Sequence, residues 1–329
     1  MRILVLLIIL TFPVSAVSSE LSFLIKRALS ENKEILRAKS EYRISDLSYK
    51  EAVSEYLPKV NLFYSRTNLS EVPQYSLSLP GLPEAPFSLF NDSYYQLGVS
   101  VKQPIFTGGR LLYNVRVKGE ERRASYYLFK ETVNKVIYQV KVDYFNLLKA
   151  KANVEAARSY LRAARKHYSD VKAFFDEGIV PRRDLLEAEV KLRDAEEKLT
   201  KAKAFYEVAL EKLKTDVGDV GLHFKPDGRL EFHELNLSLK DLIKTAYSER
   251  PLLLYVRRLK RASEEGVRLS VSQFLPEALL ELSYQKTNQY PGSIYSTFSV
   301  SFRVNFPLFE GGRRFLQFER ALEERRKAE

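Results

Sequence analysis

The residues able to do chemistry are few and scattered. His167, His223 and His233 lie in unrelated contexts, and no HExxH pair, nucleophile elbow or phosphate-binding glycine fingerprint accompanies them. Lys225-Pro226-Asp227-Gly228-Arg229 reads as a turn. With 53 basic and 42 acidic residues, close opposite charges are inevitable and carry no catalytic message. The sequence argues against an enzyme and assigns no catalytic, cofactor-binding or metal-binding residue. A net charge of +11 raises nucleic acid or an anionic membrane surface as a partner. Yet the basic residues alternate with acids at helical spacing, as in Glu187/Lys191, Asp194/Lys198 and Glu197/Lys201, which describes a solvated helix surface. There is no one-sided basic stripe with stacking aromatics, so nucleic acid is set aside. No Cys and a single Met suit an oxidising compartment or a hot habitat equally.

What the spacing encodes is shape. From Leu147, apolar or small residues step by three and four through Ala150, Val154, Ala157, Leu161, Ala164, Tyr168, Val171 and Phe175. After Gly178 and Pro181 the rhythm resumes with Leu185, Ala188, Leu192, Ala195, Leu199, Ala202, Tyr206, Ala209 and Leu213. These are sustained heptad seams. A fold-back at 178–181 pairs Phe175 with Leu185, Ala164 with Ala195, Ala157 with Ala202 and Leu147 with Leu213, a register that stays constant along both arms. Small layers alternate with larger ones, as two closely packed antiparallel helices require. Gly178 suits the left-handed residue that ends the first arm, and Pro181 the first turn of the second. Leu111 to Glu177 holds no Pro and only Gly119, so the spacing predicts one helix over 110–176, about 100 Å long at ~1.5 Å per residue.

Two other stretches change period. In 297–306, Phe298, Val300, Phe302, Val304 and Phe306 alternate with polar residues, and in 94–103 Tyr95, Leu97, Val99 and Val101 do the same. Partner strands at 59–69 and 277–287 carry Val60, Leu62, Tyr64 and Leu280, Leu282, Tyr284. Strands of about ten residues with one apolar and one polar face match a membrane-spanning barrel. The expected lipid-facing set is Tyr95, Leu97, Val99, Val101, Leu280, Leu282, Phe298, Val300, Phe302 and Val304. Nothing else in the chain is read as a second sheet to cover them; the joins at 70–92 and 288–295 are expected to be irregular. Four strands cannot close a barrel, and an open edge in lipid leaves backbone groups unsatisfied, so further subunits are expected to complete it.

These elements occur twice. Residues 21–58 align without a gap onto 239–276 with 14 of 38 identities, and Pro104-Ile105-Phe106-Thr107-Gly108-Gly109-Arg110 returns as Pro307-Leu308-Phe309-Glu310-Gly311-Gly312-Arg313. A repeat this long is a duplicated structural unit. Before the first copy, Arg2, the apolar run Ile3–Phe12 and Val14-Ser15-Ala16 have the order of a secretory signal, assigned to 1–19. With no Cys in the sequence, amino-terminal lipidation is not expected.

The order of short helix, helix, strand, strand, long helix, tip and returning helix, then the same again, resembles the TolC-like outer-membrane efflux proteins. The likeness rests on Tyr56-Leu57-Pro58 and Phe274-Leu275-Pro276, on Gln103–Arg110 and Asn305–Arg313, and on the tip from Phe175 to Ala188. It implies a mainly α fold with a small β part: long helical coiled-coil hairpins, plus four transmembrane strands given to a trimeric α/β barrel in the outer membrane. The implied division is an equatorial helix and first tunnel helix at 20–57 and a first transmembrane hairpin at 58–109. The periplasmic helical hairpin takes 110–215, with its tip near 176–184, and an equatorial segment 216–250. A second tunnel helix follows at 251–275, a second transmembrane hairpin at 276–309, and the start of a second long helix at 310–329. Such channels dock a periplasmic adaptor that links them to an inner-membrane transporter. By resemblance the adaptor contacts here are Gly178, Ile179, Val180, Pro181, Asp184 and Leu185. The second long helix stops early at Glu329, so a truncated sequence or interrupted frame is expected and no gate residue is assigned. The rival is an exported periplasmic coiled-coil adaptor or scaffold without a barrel.

Overall fold

The computed structural model describes residues 19–77, 85–228, 230, 234 and 237–329. The segment read as an export signal lies outside them except for the backbone of Ser19, as do Pro80, Gly81 and Pro83 of the first join, Arg229 and His233. In order, the elements are α1 (Ser19–Glu31), α2 (Lys33–Ser54), β1 (Lys59–Asn68), β2 (Gln74–Leu77), β3 (Ala85–Ser88), β4 (Ser93–Phe106), α3 (Arg110–Asp176), α4 (Arg182–Val217), α5 (Leu239–Glu249), α6 (Pro251–Ser272), β5 (Glu277–Thr287), β6 (Tyr295–Asn305) and α7 (Arg313–Ala328). They form two compact units, one built from the chain through Glu41 with Tyr127–Leu252, the other from Tyr42–Tyr126 with Leu253–Glu329.

The first unit is helical. Leu21, Leu24 and Ala28 of α1 and Ile35 of α2 pack with Val136, Val140, Tyr144 and Leu147 of α3 and with Leu213 and Val217 of α4. The α1–α2 break is made by Asn32, whose Oδ1 accepts from the backbone N–H of Glu34 and Ile35 and so caps α2. Its Nδ2 donates to the Asp216 carbonyl at 2.7 Å, fastening the break to the end of α4. That end turns on Gly218, φ 88°, where a Cβ would lie 2.8 Å from Asn32 Cα. Further out, Leu161 and Ala164 pack on Ala195 with Leu192 and Leu199 alongside, the register expected of the hairpin. Glu187/Lys191, Asp194/Lys198 and Glu197/Lys201 of α4 form ion pairs at 2.5–2.7 Å on its solvated surface.

Lys225–Gly228, expected as a turn, is instead an irregular connection. The Glu20 carboxylate accepts from the backbone N–H of Asp227 and Gly228 and from the Tyr144 hydroxyl, so the segment is tied to α1 rather than to itself.

The second unit carries the sheet, in the order β1-β4-β5-β6 with antiparallel pairing throughout. The two hairpins therefore lie side by side, and β1 and β6 are the edges. At their helical ends the repeat is visible in the backbone: Gly108 and Gly109 have φ 59° and 87°, Gly311 and Gly312 61° and 82°. Only glycine takes two successive left-handed residues cheaply, which is why both strand-to-helix junctions read Gly-Gly. Arg110 Nε reaches Glu277 Oε1 at 2.7 Å and its Nη1 lies 3.8 Å from Glu55, joining the junction of one copy to the other. At the far end, Thr287 Oγ1 donates to the Tyr95 carbonyl and Asn288 Oδ1 accepts from Tyr95 N–H. The first join is not wholly irregular. β2 and β3 form a small two-stranded ribbon in it, with Tyr75 opposite Phe87 and their rings 6.3 Å apart. The join at 70–92, expected to be irregular, thus holds a ladder, which a local aromatic cross-strand pair supports.

Candidate interaction surfaces

The ladder registers decide which side chains share a face. Val60 is opposite Val101, which is opposite Leu282, which is opposite Val300. One row on, Leu62, Val99, Tyr284 and Phe298 align, and one row back Leu280 and Phe302. Tyr64 and Leu97 extend the face toward the joins and Ala278 with Val304 toward the helices; Tyr95 lies beyond, opposite Arg66. All ten residues expected to face lipid thus fall on one side of one sheet. Leu62 is 74% exposed, Phe298 66% and Val300 60%, so this face is uncovered. The five apolar rows run about 27 Å along the strands at ~3.4 Å per residue, or about 20 Å at a barrel's tilt, near the height of a barrel's apolar band. Lys286 and Arg66 mark its limit at the end away from the helices.

The opposite face is polar: Asn61, Ser100, Ser283 and Ser299 form one row, with Ser283 and Ser299 hydroxyls 2.8 Å apart. The alternation of β1 hid one exception. Phe63 is on this polar side, opposite Gly98. Nothing in its own strand distinguishes it; the signal is the lone glycine of β4, legible only once the register is known.

The other expected site is the turn between α3 and α4. Gly178 adopts φ 76°; its N–H donates to the Phe175 carbonyl at 2.9 Å and that of Ile179 to the Phe174 carbonyl at 2.8 Å. This is a Schellman closure, which satisfies carbonyls that the helix end would leave bare. Pro181 is not in the first turn of α4 but is its cap residue, with ψ 158° and its carbonyl accepting from Asp184 N–H at 3.0 Å. The extended ψ lets proline end the turn and start the helix at once. Ile179 is 64% exposed, Val180, Asp184 and Leu185 are partly exposed, and a Cβ on Gly178 would meet nothing. The tip thus presents a small apolar knob with backbone geometry fixed by two residues.

Two arrangements escaped sequence reading. Asp143 of α3 is 2% exposed and is met by Lys212 Nζ at 2.5 Å and Gln139 Nε2 at 3.2 Å. Burial opposes its ionised form, but hydrogen bonding with Asp216, Lys212 and Gln139 outweighs that and holds its carboxyl below the usual range. Burial, together with the bond to Asp143, pushes Asp216 the other way. Secondly, α1 and α5 are equivalent in the repeat, yet Leu21 and Leu24 are buried whereas Leu239 and Leu242 are exposed. Among the described residues no His/Cys/Asp/Glu group is placed to hold a metal, and no helix is long and apolar enough to cross a membrane.

Comparison with known proteins gives a consistent picture. Residues 24–219 match the family described as "Outer membrane efflux protein". The alkaline protease secretion protein AprF of Pseudomonas aeruginosa is 24% identical over 193 residues, which are 58% of this chain and 37% of that protein. The Campylobacter jejuni CmeC outer membrane channel superposes with a TM-score of 0.79 at 17% identity, over 94% of this chain and 66% of that one. The open-state MtrE outer membrane channel of Neisseria gonorrhoeae gives 0.74 at 19% identity, over 94% and 68%. The chain therefore spans about a third of the curated relative and about two thirds of these channels, with which it shares its mainly helical fold and small sheet.

Proposed function

Since this chain belongs to the outer membrane efflux protein family, we propose that it is a subunit of an outer-membrane exit duct, a passive conduit serving a tripartite efflux or type I secretion system. In this reading a homotrimer pools twelve strands into a barrel in the outer membrane, and the helices project into the periplasm. The tip Gly178–Leu185 engages a periplasmic adaptor, and through it an inner-membrane transporter drives export. The leader at 1–19 directs the chain across the inner membrane.

The observation that carries the reading is the four-stranded sheet with one largely apolar face and two edges, β1 and β6, whose outer sides have no ladder partner among the described residues. In water such a face and such edges invite aggregation. In a bilayer, pairing β6 of one copy with β1 of the next closes the ladder, and the apolar face becomes the lipid contact. A coiled-coil adaptor has no use for that face. Membrane fractionation followed by gel migration with and without heating tests the assignment. An outer-membrane species of three times the chain mass that collapses on heating is expected, and a soluble monomer would overturn it.

A further inference from the structure

We infer that the polar face of the sheet makes the conduit selective for anionic solutes, with Lys59, Lys102 and Arg303 as the residues that set the preference. The inference rests on the barrel reading above, in which this face lines the lumen. Lys59 of β1 stands directly opposite Lys102 of β4, and Lys102 opposite Glu281 of β5. Arg303 of β6 is one row nearer the helices on the same face, about 7 Å along the strand. Like charges directly opposite each other weaken a ladder, so sheet stability does not explain the two lysines.

The acids do not neutralise them. Glu281 lies 3.5 Å from Lys102 Nζ, while Lys59 and Arg303 are exposed and have no ion pair among the described residues. Glu277, the other acid on this face, is taken by Arg110 at 2.7 Å. Three cations against one remaining carboxylate leave two positive charges per chain, hence six in a ring of three copies. The rows beyond it, through Asn61 and Ser65, are uncharged. Field lines from such a ring are focused by the low-dielectric wall around a narrow lumen, as in other pores lined by Lys or Arg. The ring lies at the end of the sheet where the helices join, so a solute entering the barrel from the helical side meets it first.

The test is the zero-current potential of the purified full chain in a planar bilayer under a potassium chloride gradient. The wild type is expected to prefer chloride. Lys59→Gln with Arg303→Gln should bring the potential toward zero, and Lys59→Glu with Arg303→Glu should reverse its sign. Lys286→Gln, on the apolar face, should leave it unchanged. Conducting channels that prefer potassium, or whose preference ignores both pairs of substitutions, overturn the inference while leaving the barrel intact. Absence of any conductance from membrane-inserted protein instead removes the barrel reading, and the inference with it.

Discussion

Phe63 faces Gly98 across the β1–β4 ladder, and its ring fills the space that a side chain on Gly98 would need. A Cβ there would lie 2.6 Å from Phe63 Cζ and 2.7 Å from the Tyr284 carbonyl oxygen. An aromatic covering a strand glycine replaces the side-chain packing that glycine lacks and pins the register. The expected outcome for Gly98→Val is a sheet strained on two sides, at about 1–3 kcal/mol. Phe63→Ala should restore only part of the loss, because the Tyr284 carbonyl belongs to the backbone and cannot swing away. The temperature at which the proposed trimer dissociates on a gel reads both effects; full rescue by Phe63→Ala would show that the carbonyl contact is unimportant.

The two faces of the sheet should respond oppositely to charge. Val300 lies in the middle row of the apolar face, and Ser299 beside it points to the polar one. Lys at a lipid-facing position near the midplane of a barrel costs about 2–4 kcal/mol, and far less on the lumen side. Val300→Lys should therefore lower assembled protein in the outer membrane, while Ser299→Lys should not. Equal tolerance of the two would remove the assignment of faces.

Much of this was readable in advance because it follows from periods. Alternation at Phe298, Val300 and Phe302 and heptad steps at Leu161, Ala164, Ala195 and Leu199 are set by the geometry of strand and helix, and the structure keeps both. The return of Gly-Gly before Arg110 and Arg313 marked the two junctions through the repeat, and the structure supplies the reason, a left-handed backbone that favours glycine. What stayed hidden depends on register or on long-range partners. Phe63 gains meaning only from Gly98 opposite it, and Asp143 only from Lys212, 69 residues away. The exposure of α5 was equally illegible, because its residues repeat those of α1 and the difference lies in what packs against them.

Ala195 is fully buried against Leu161 and Ala164, whereas Ala157 and Ala202 are only half-buried. Ala195→Phe should therefore be the most damaging of the small-layer substitutions, forcing α3 and α4 apart at about 1–3 kcal/mol. Ala202→Phe has partial access to solvent and should cost less. Thermal unfolding followed by far-ultraviolet circular dichroism ranks them, and the reverse order would contradict the layer assignment.

The Asp143–Lys212–Asp216 cluster gives a pH dependence whose sign can be worked out. Asp143 is lowered, so its contribution is present above its unfolded pKa and is lost as pH falls through the folded value. Asp216 is raised, so it favours the fold when protonated, and that contribution fades as pH rises through its folded value. Asp216→Asn should thus raise the unfolding temperature at neutral pH and change it little at about pH 4, where an ordinary aspartate is half protonated. Asp143→Asn should lower it at neutral pH and flatten the acid side of the profile. Two parallel profiles would mean that the cluster does not titrate with folding.

The tip separates backbone geometry from surface chemistry. Gly178 needs φ near 76° but has open space around it, so a substitution there is penalised by conformation alone. Asn visits the left-handed region readily, whereas a β-branched residue there is strained by roughly 1–3 kcal/mol. Gly178→Asn should leave the Schellman closure and the exposed Ile179 in place. Gly178→Val should release the bond from Ile179 N–H to Phe174 and move Ile179 and Val180. If this knob is what the adaptor grips, export in cells should survive Gly178→Asn and fall with Gly178→Val, while outer-membrane assembly is the same for both. Ile179→Asp, which keeps the backbone, should also cut export. Undiminished export by both Gly178→Val and Ile179→Asp would mean that coupling lies elsewhere on the helices.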